Sequence, residues 1–456
     1  MSELSSEQRV GGTRLQRAQP SYLGDDIGFR WLYIVDAITL FSLMVIITVV
    51  RFGLTWPNYP MVNYLGGFVV ATNVHLVVAY FGGLYNREGR LGNPSRLSQA
   101  ASVSIIAVLI DAALSLGAEQ FLMPRLNLAV FTVTSTLLLA SNRWLSRRVR
   151  TARFGRPRVL LVGAPDDIAL AESHLAETDR DAHVVGRRST TDDLVEHVDQ
   201  TEATDVLLLS GSALSQIYPQ PLGELEHQLV GLYHRLSAQD TLLGVRRTIQ
   251  IAGMPFVGLR SHALPQSKAH FKRLLDLTYV LVASPLIIVV MIPLLIWSRI
   301  VAGSSVFYRQ TRVGRHGKPF MLIKLRTMYP DAENQTGAVL ADRDDVRVIP
   351  AMAWMRASRL DELPQIWNVI RGDMSLVGPR PERPELAEQF EELIPGYGRR
   401  HDIRPGLTGL AQINGDYHTD PGYKLGHDLQ YLVNWSAVGD LQLLFKTIPV
   451  VLRREQ

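Results

Sequence analysis

Four apolar stretches, at about 29–50, 61–83, 99–118 and 126–142, dominate the first third of the chain. Each is close to the ~20 residues needed to cross a bilayer. They predict a four-helix transmembrane bundle over 29–156, preceded by a polar cytoplasmic leader at 1–28. The leader lacks an apolar core backed by a small-residue cleavage site, so it does not read as a removed signal peptide. Basic residues set the orientation. Arg9, Arg14, Arg17 and Arg30 precede the first span, Arg87, Arg90 and Arg96 fill the second connection, and Arg143, Arg147, Arg148 and Arg150 follow the fourth. Both ends of the bundle are therefore expected in the cytoplasm. Asp36 and Asp111 fall within spans, where an isolated charge costs ~2.5–3.5 kcal/mol. No acidic series continues across the membrane, so both are read as bundle-facing or near-interface residues rather than a polar pathway.

From Pro157 to about Leu264 short apolar runs alternate with amphipathic stretches. Val159–Gly163, Val184–Gly186 and Asp205–Leu209 read as strands; Asp166–Glu177, Thr191–Val198 and Leu222–Leu236 read as helices. This alternation predicts a Rossmann-like α/β middle domain over 157–264 with a parallel sheet. A dinucleotide site would place G-x-G-x-x-G after the first strand. The sequence has Gly163-Ala164-Pro165-Asp166-Asp167 instead, with negative charge where a phosphate would sit. A non-catalytic spacer, assembly or regulatory module is the better reading.

A fifth apolar run, Phe271–Ile300, is interrupted by Ser284-Pro285. It is long enough to span, but Lys268, Lys272 and Arg273 precede it and Arg299, Arg309, Arg312 and Arg315 follow. Positive charge on both flanks keeps both ends cytoplasmic. Pro285 removes a helical hydrogen bond and clashes with the preceding turn. The expectation is a re-entrant helix–break–helix hairpin with its break at Ser284 and Pro285, the alternative being a kinked span.

Composition agrees with a membrane protein: 47% of the 456 residues are hydrophobic and the mean hydropathy is +0.07. The net charge of +4 and pI near 9.2 suit a basic face on anionic lipid rather than nucleic acid. The absence of cysteine excludes disulfides, thiol catalysis and cysteine–zinc sites.

The C-terminal segment, 265–456, holds the candidate chemistry. Adjacent carboxylates Asp361 and Glu362 sit among Arg356, Arg359, Arg371, Arg380 and Arg383. Such a pair amid guanidinium groups suits one anionic attacker, one metal ligand and a phosphate to hold; a salt-bridged surface helix is the plainer reading. Lys324 and Arg326, two apart, would share one face of a strand. His401, His418 and His427 match no metal spacing. Trp297, Trp354, Trp367 and Trp435 are candidates for the membrane interface. Leu429–Arg454, interrupted by Pro449, has the apolar spacing of an interfacial or core-packed helix.

These residues resemble the polyprenyl-phosphate hexose-1-phosphate transferases, monotopic bacterial sugar transferases that begin exopolysaccharide, capsule and O-antigen assembly. The resemblance runs from Phe271 to Gln456 through KRxxDL (Lys272, Arg273, Asp276, Leu277), Ser284-Pro285, QxRVGRxGKPF at Gln310–Phe320 and KLRTM at Lys324–Met328. It continues with LDELPQxWNVxxGDMSLVGPRP at Leu360–Pro381 and RPGLTGLAQING at Arg404–Gly415. It implies an α+β catalytic domain in which Asp361 attacks a UDP-sugar, expels UMP and forms an aspartyl phosphosugar that undecaprenyl phosphate then discharges. It implies Glu362 as the Mg²⁺ ligand, Arg356 as the residue that holds the acidic pair, and Lys324, Arg326, Arg380, Arg383 and Asp373 on the substrate side. UDP-glucose is the favoured donor and UDP-galactose the next, at the cytoplasmic face of the bacterial inner membrane. A homodimer is compatible with such a chain. Arg359 departs from the family, standing where many members carry a small hydroxyl residue. The rival reading is a catalytically silent scaffold for polysaccharide assembly.

Overall fold

The computed structural model describes residues 22–54, 61–86, 91, 96–117, 125–178, 182–210, 216–228, 230–238, 240, 248–251, 253–259, 264–303, 305–329, 347–414 and 420–452. Most of the leader, Arg87, Arg90, Gly415, His418, Arg453 and Arg454 lie outside these residues. The chain divides into two compact units, Met1–Arg87 with Pro94–Arg156, and Glu88–Asn93 with Pro157–Gln456.

In the first unit, α1 (Tyr22–Phe52), α2 (Met61–Phe81), α3 (Leu97–Gly117) and α4 (Arg125–Phe154) form a bundle. Each helix packs on the next, and α4 closes on α1. Leu40, Met44, Phe68, Leu76, Phe131 and Leu139 form its core. The end of the expected leader, from Tyr22, is already helical. Asp36 takes the bundle-facing of its two expected positions: Arg143 grips both its oxygens at 2.7 and 3.0 Å, Tyr85 donates at 2.7 Å and Asn142 at 2.9 Å. Asp111 is also buried, 3.5 Å from His75.

Among the described residues four helices are long and apolar enough to cross a membrane: Trp31–Phe52, Met61–Phe81, Leu97–Leu116 and Gln266–Val301. The segment at 126–142 is helical but does not join them. Its apolar run is diluted by Asn127 and Ser135 and closed by Arg143, all buried inside the bundle.

The second unit begins with β1 (Arg158–Val162), α5 (Pro165–Thr178), β2 (His183–Arg188), α6 (Leu194–Thr201), β3 (Asp205–Leu208), α7 (Leu222–His227), β4 (Gly231–Arg235), β5 (Ile249–Ile251) and β6 (Met254–Leu259). The sheet order is β2-β1-β3-β4-β6-β5. The first four strands are parallel; β6 runs antiparallel to β4 and β5. Alternation along β1 builds two layers: Val159 and Leu161 pack with Ile168, Leu175 and Phe256, whereas Leu160 and Val162 pack with Leu194, Val198 and Leu225. The expected helix at Leu222–Leu236 is half wrong. Its second part is β4, because Leu232 and Tyr233 fill both faces of the sheet and Gly231 lets the backbone approach Asp205. Gly163 serves packing, since a Cβ there would lie 2.8 Å from that of Leu209.

Next come α8 (Gln266–Val301) and an antiparallel hairpin of β7 (Phe307–Val313) and β8 (Pro319–Leu325). Then follow α9 (Ala353–Ala357), α10 (Gln365–Arg371), β9 (Ser375–Val377), α11 (Pro384–Leu393), β10 (Gly406–Thr408), α12 (Leu410–Asn414), α13 (Pro421–Asn434) and α14 (Ala437–Leu452). Ser284-Pro285 lies inside the continuous helix α8, where the Ser284 hydroxyl donates to Leu281 O at 2.7 Å. Both ends of α8 are anchored. Phe271, Tyr279 and Val280 pack with Leu322, Val369 and Leu376, and Leu294 packs with Leu325, Met352 and Met355. Between them Leu281, Val282, Leu286 and Val289 are 67–75% exposed. Pro449 does not interrupt α14. Trp435 is not an interface residue either: it is buried, and its indole donates to Asp440 at 2.9 Å.

Candidate active site

The acidic pair sits on a single 3-10 turn, Leu360–Glu362, between α9 and α10. Arg359 opens the turn in the left-handed region, φ 53°, where a side chain costs roughly 1–2 kcal/mol. That conformation reverses the chain after α9, and Glu362 N donates back to Arg359 O at 3.1 Å.

The two carboxylates are held differently. Glu362 Oε1 accepts from Lys324 Nζ at 2.6 Å and from Arg380 at 3.1 Å. Burial alone would push Glu362 up, but Lys324, Arg380 and Arg359 overcome it and hold the carboxyl well below the usual range. Asp361 is only 7% exposed. Among the described residues nothing donates a hydrogen bond to its carboxylate. Burial pushes it up to about 6, Lys324, Arg356 and Arg380 pull against that, and Glu362 adds to it. One carboxylate is thus a fixed anion and the other an unengaged one.

Lys324 comes from β8 and Arg380 from the loop after β9. That loop packs backbone to backbone against β10: Gly406 N donates to Pro379 O and Gly378 N to Thr408 O, both at 2.8 Å. A Cβ on Gly378 would lie 2.5 Å from Arg404 O, which is why both motifs need glycine. Arg312, Gln365 and Gly406 complete the cleft with Lys324, Glu362 and Arg380.

The structure does not bring every expected residue to this point. Arg356 and Arg383 stay in its field, Arg356 acting on Asp361 and Arg383 on Arg312. Arg326 lies just past β8, its Nε buried with no hydrogen-bond partner among the described residues. The Asp373 carboxylate is engaged by Asn368 at 3.4 Å and Arg371 at 3.5 Å. His401 is held neutral, pushed down to about 4 by burial and Arg400. Among the described residues no three metal-ligating side chains cluster.

Two contributors were missed. Arg312 donates to Gln310 at 2.6 and 3.1 Å and to Pro381 O at 3.1 Å, and burial with Arg380 beside it pushes it down to about 10. Arg400, 2% exposed, pairs with Asp428 at 2.8 Å and donates to Arg380 O at 3.1 Å. The i, i+2 spacing of Gln310 and Arg312 was a usable signal for the first; nothing local signalled the second.

The profile of the family described as bacterial sugar transferase matches residues 267–454. A Klebsiella pneumoniae protein named UDP-glucose:undecaprenyl-phosphate glucose-1-phosphate transferase is 39% identical over 211 residues, 44% of each chain. An Aeromonas hydrophila protein named UDP-N-acetylgalactosamine-undecaprenyl-phosphate N-acetylgalactosaminephosphotransferase is 35% identical over 226 residues, 49% of this chain and 52% of its own. The chain thus spans about half the length of these two relatives. An uncharacterized sugar transferase of Bacillus subtilis, EpsL, is 41% identical over 187 residues, 40% of this chain and 88% of its own. With nearly the whole of that shorter relative covered, and the motifs converging on one cleft, the chain belongs to the bacterial sugar transferase family.

Proposed function

We propose that the chain transfers a sugar 1-phosphate from a UDP-sugar to undecaprenyl phosphate, releasing UMP, with Asp361 as covalent nucleophile. The inequality of the two carboxylates carries this reading: Glu362 is clamped by Lys324 and Arg380, while Asp361 is buried and unengaged among the described residues. An Asp361 oxygen attacks the sugar-bearing phosphorus, and the bond from that phosphorus to the UMP oxygen breaks. The lipid phosphate then attacks the same phosphorus, the Asp361–phosphorus bond breaks, and the carboxylate is regenerated. Splitting one transfer into two gives ping-pong kinetics. Lys324, Arg380 and Arg312 supply preorganised positive charge for the diphosphate.

The donor set fits a magnesium ion. The second oxygen of Glu362 accepts no hydrogen bond among the described residues, and Mg²⁺ is commonly held by one or two carboxylates with substrate phosphates and waters. When bound it would neutralise charge on the transferring phosphoryl group.

The lipid substrate requires the cleft to lie at the headgroups. Both ends of α8 pack on the catalytic domain, while its middle around Ser284-Pro285 is apolar and exposed. This supports an α8 that dips into one leaflet and returns, a re-entrant helix, rather than one that crosses. Exposed Trp297, Trp354 and Trp367 suit the interface, at the cytoplasmic face of the inner membrane where nucleotide sugars are made.

The test is UMP release from the purified chain with Mg²⁺, undecaprenyl phosphate and a panel of UDP-sugars, UDP-glucose first and UDP-galactose next. Release from one sugar supports the reading; release from none returns the chain to the scaffold. The attacking species is the anion, and Asp361 is pushed up to about 6. Donor kcat/KM should therefore fall about tenfold per pH unit below that value and level off above it. A flat profile well below it contradicts the assignment.

A further inference from the structure

We propose that the Tyr218–Gly223 segment of the middle α/β domain is a positioning element for the donor loop, acting through Arg400. The inference rests on the donor-binding role given to Arg380 above. Its first link is a tight contact. Gly396, with φ +81°, lies under Tyr218 so closely that a Cβ there would sit 2.4 Å from the phenol oxygen. A Cβ on Gly223 would come within 3.2 Å of the Arg399 guanidinium. Both contacts fall on the start of the 3-10 turn Tyr397–Asp402.

That turn carries Arg400, the largest fully buried side chain among the described residues. Its guanidinium donates to the Tyr397 hydroxyl and lies 4.9 Å from that ring, pairs with Asp428 at 2.8 Å and reaches Glu382 at 3.4 Å. It also donates to the backbone oxygen of Arg380 at 3.1 Å. Arg380 in turn reaches Glu362 at 3.1 Å. Two residues of the donor loop, Arg380 and Glu382, are thus gripped by one cation that cannot move without leaving Asp428 buried and unpaired. The middle domain presses on the turn that holds this cation. Every step from Tyr218 to Glu362 is a direct contact, and the domain needs no ligand of its own to act. Arg400 touches no reacting atom in this account; it positions Arg380.

Contiguity alone is not coupling, so the test is a double-mutant cycle on the full chain in nanodiscs. Tyr218→Ala, Arg400→Lys and the double variant are compared by donor KM and kcat, normalised to active-site count, and by hydrogen exchange of the 378–383 amides. Tyr218→Ala is expected to raise donor KM about 2- to 30-fold, with kcat little changed, and to speed exchange in that loop. In the Arg400→Lys background the same change should add almost nothing. Additive effects, an unmoved KM, or exchange confined to the turn itself would overturn the proposal. So would equal losses in all readouts that vanish on normalisation, which mark a merely structural role. If the wild-type chain releases no UMP while loop exchange still responds to Tyr218→Ala, the transferase reading has failed and the mechanical link has not.

Discussion

Asp361→Asn is expected to lower UMP release by at least about 1,000-fold while the protein keeps its fold. Asparagine matches aspartate in size but offers no anionic oxygen to phosphorus. The site already penalises charge, since burial pushes Asp361 up to about 6. A neutral side chain there relieves desolvation, so the thermal midpoint should hold or rise. Rate and midpoint measured on one preparation separate chemistry from folding. Glu362→Gln is the instructive contrast, because it leaves Lys324 and Arg380 without their shared anion. Release surviving in Asp361→Asn would leave the reaction class standing but remove the aspartyl intermediate.

The largest stability effect is expected from Lys272→Met. Lys272 is buried between Asp440, at 2.8 Å, and Asp276, at 3.8 Å. Tyr431 and Trp435 donate to Asp440 at 2.7 and 2.9 Å, and Ser375 donates to Asp276 at 2.7 Å. The knot ties α8 to β9 and α14, with one cation serving two carboxylates. Removing it leaves both anions buried, a cost of about 3–5 kcal/mol. For a unit of this size that is a fall of roughly 10 °C in thermal midpoint. Lys272→Met paired with Asp440→Asn should recover part of the loss. A midpoint unchanged in the single variant would mean that solvent reaches the knot.

What the sequence disclosed follows from which forces act locally. The bundle was visible because membrane crossing demands long apolar runs. Asp36 was read as a structural residue, bundle-facing or near the interface, and only its bonds to Arg143, Tyr85 and Asn142 decide between the two. The Asp361-Glu362 turn and its glycine-bearing loops were visible as motifs. Their mutual approach was not, since Lys324 meets Glu362 through a hairpin and a turn that no periodicity links. Leu222–Leu236 was misassigned because a short apolar run fits both helix and strand until its neighbours are known. Trp435 was placed at the interface by its residue type, whereas a hydrogen bond to Asp440 buries it. Arg400 escaped notice because arginine is ordinarily a surface residue, and only the fold brings Asp428 to it.

The central claim is a covalent bond between Asp361 and a phosphosugar. The most direct measurement is the intact mass of the protein after incubation with Mg²⁺ and the accepted UDP-sugar in the absence of lipid acceptor, followed by peptide mapping. The account predicts a mass increase of one sugar phosphate on the peptide containing Asp361, formed with one equivalent of UMP and discharged when undecaprenyl phosphate is added. UMP formed only when the lipid is present, with no adduct trapped at any time, would show direct transfer and contradict it.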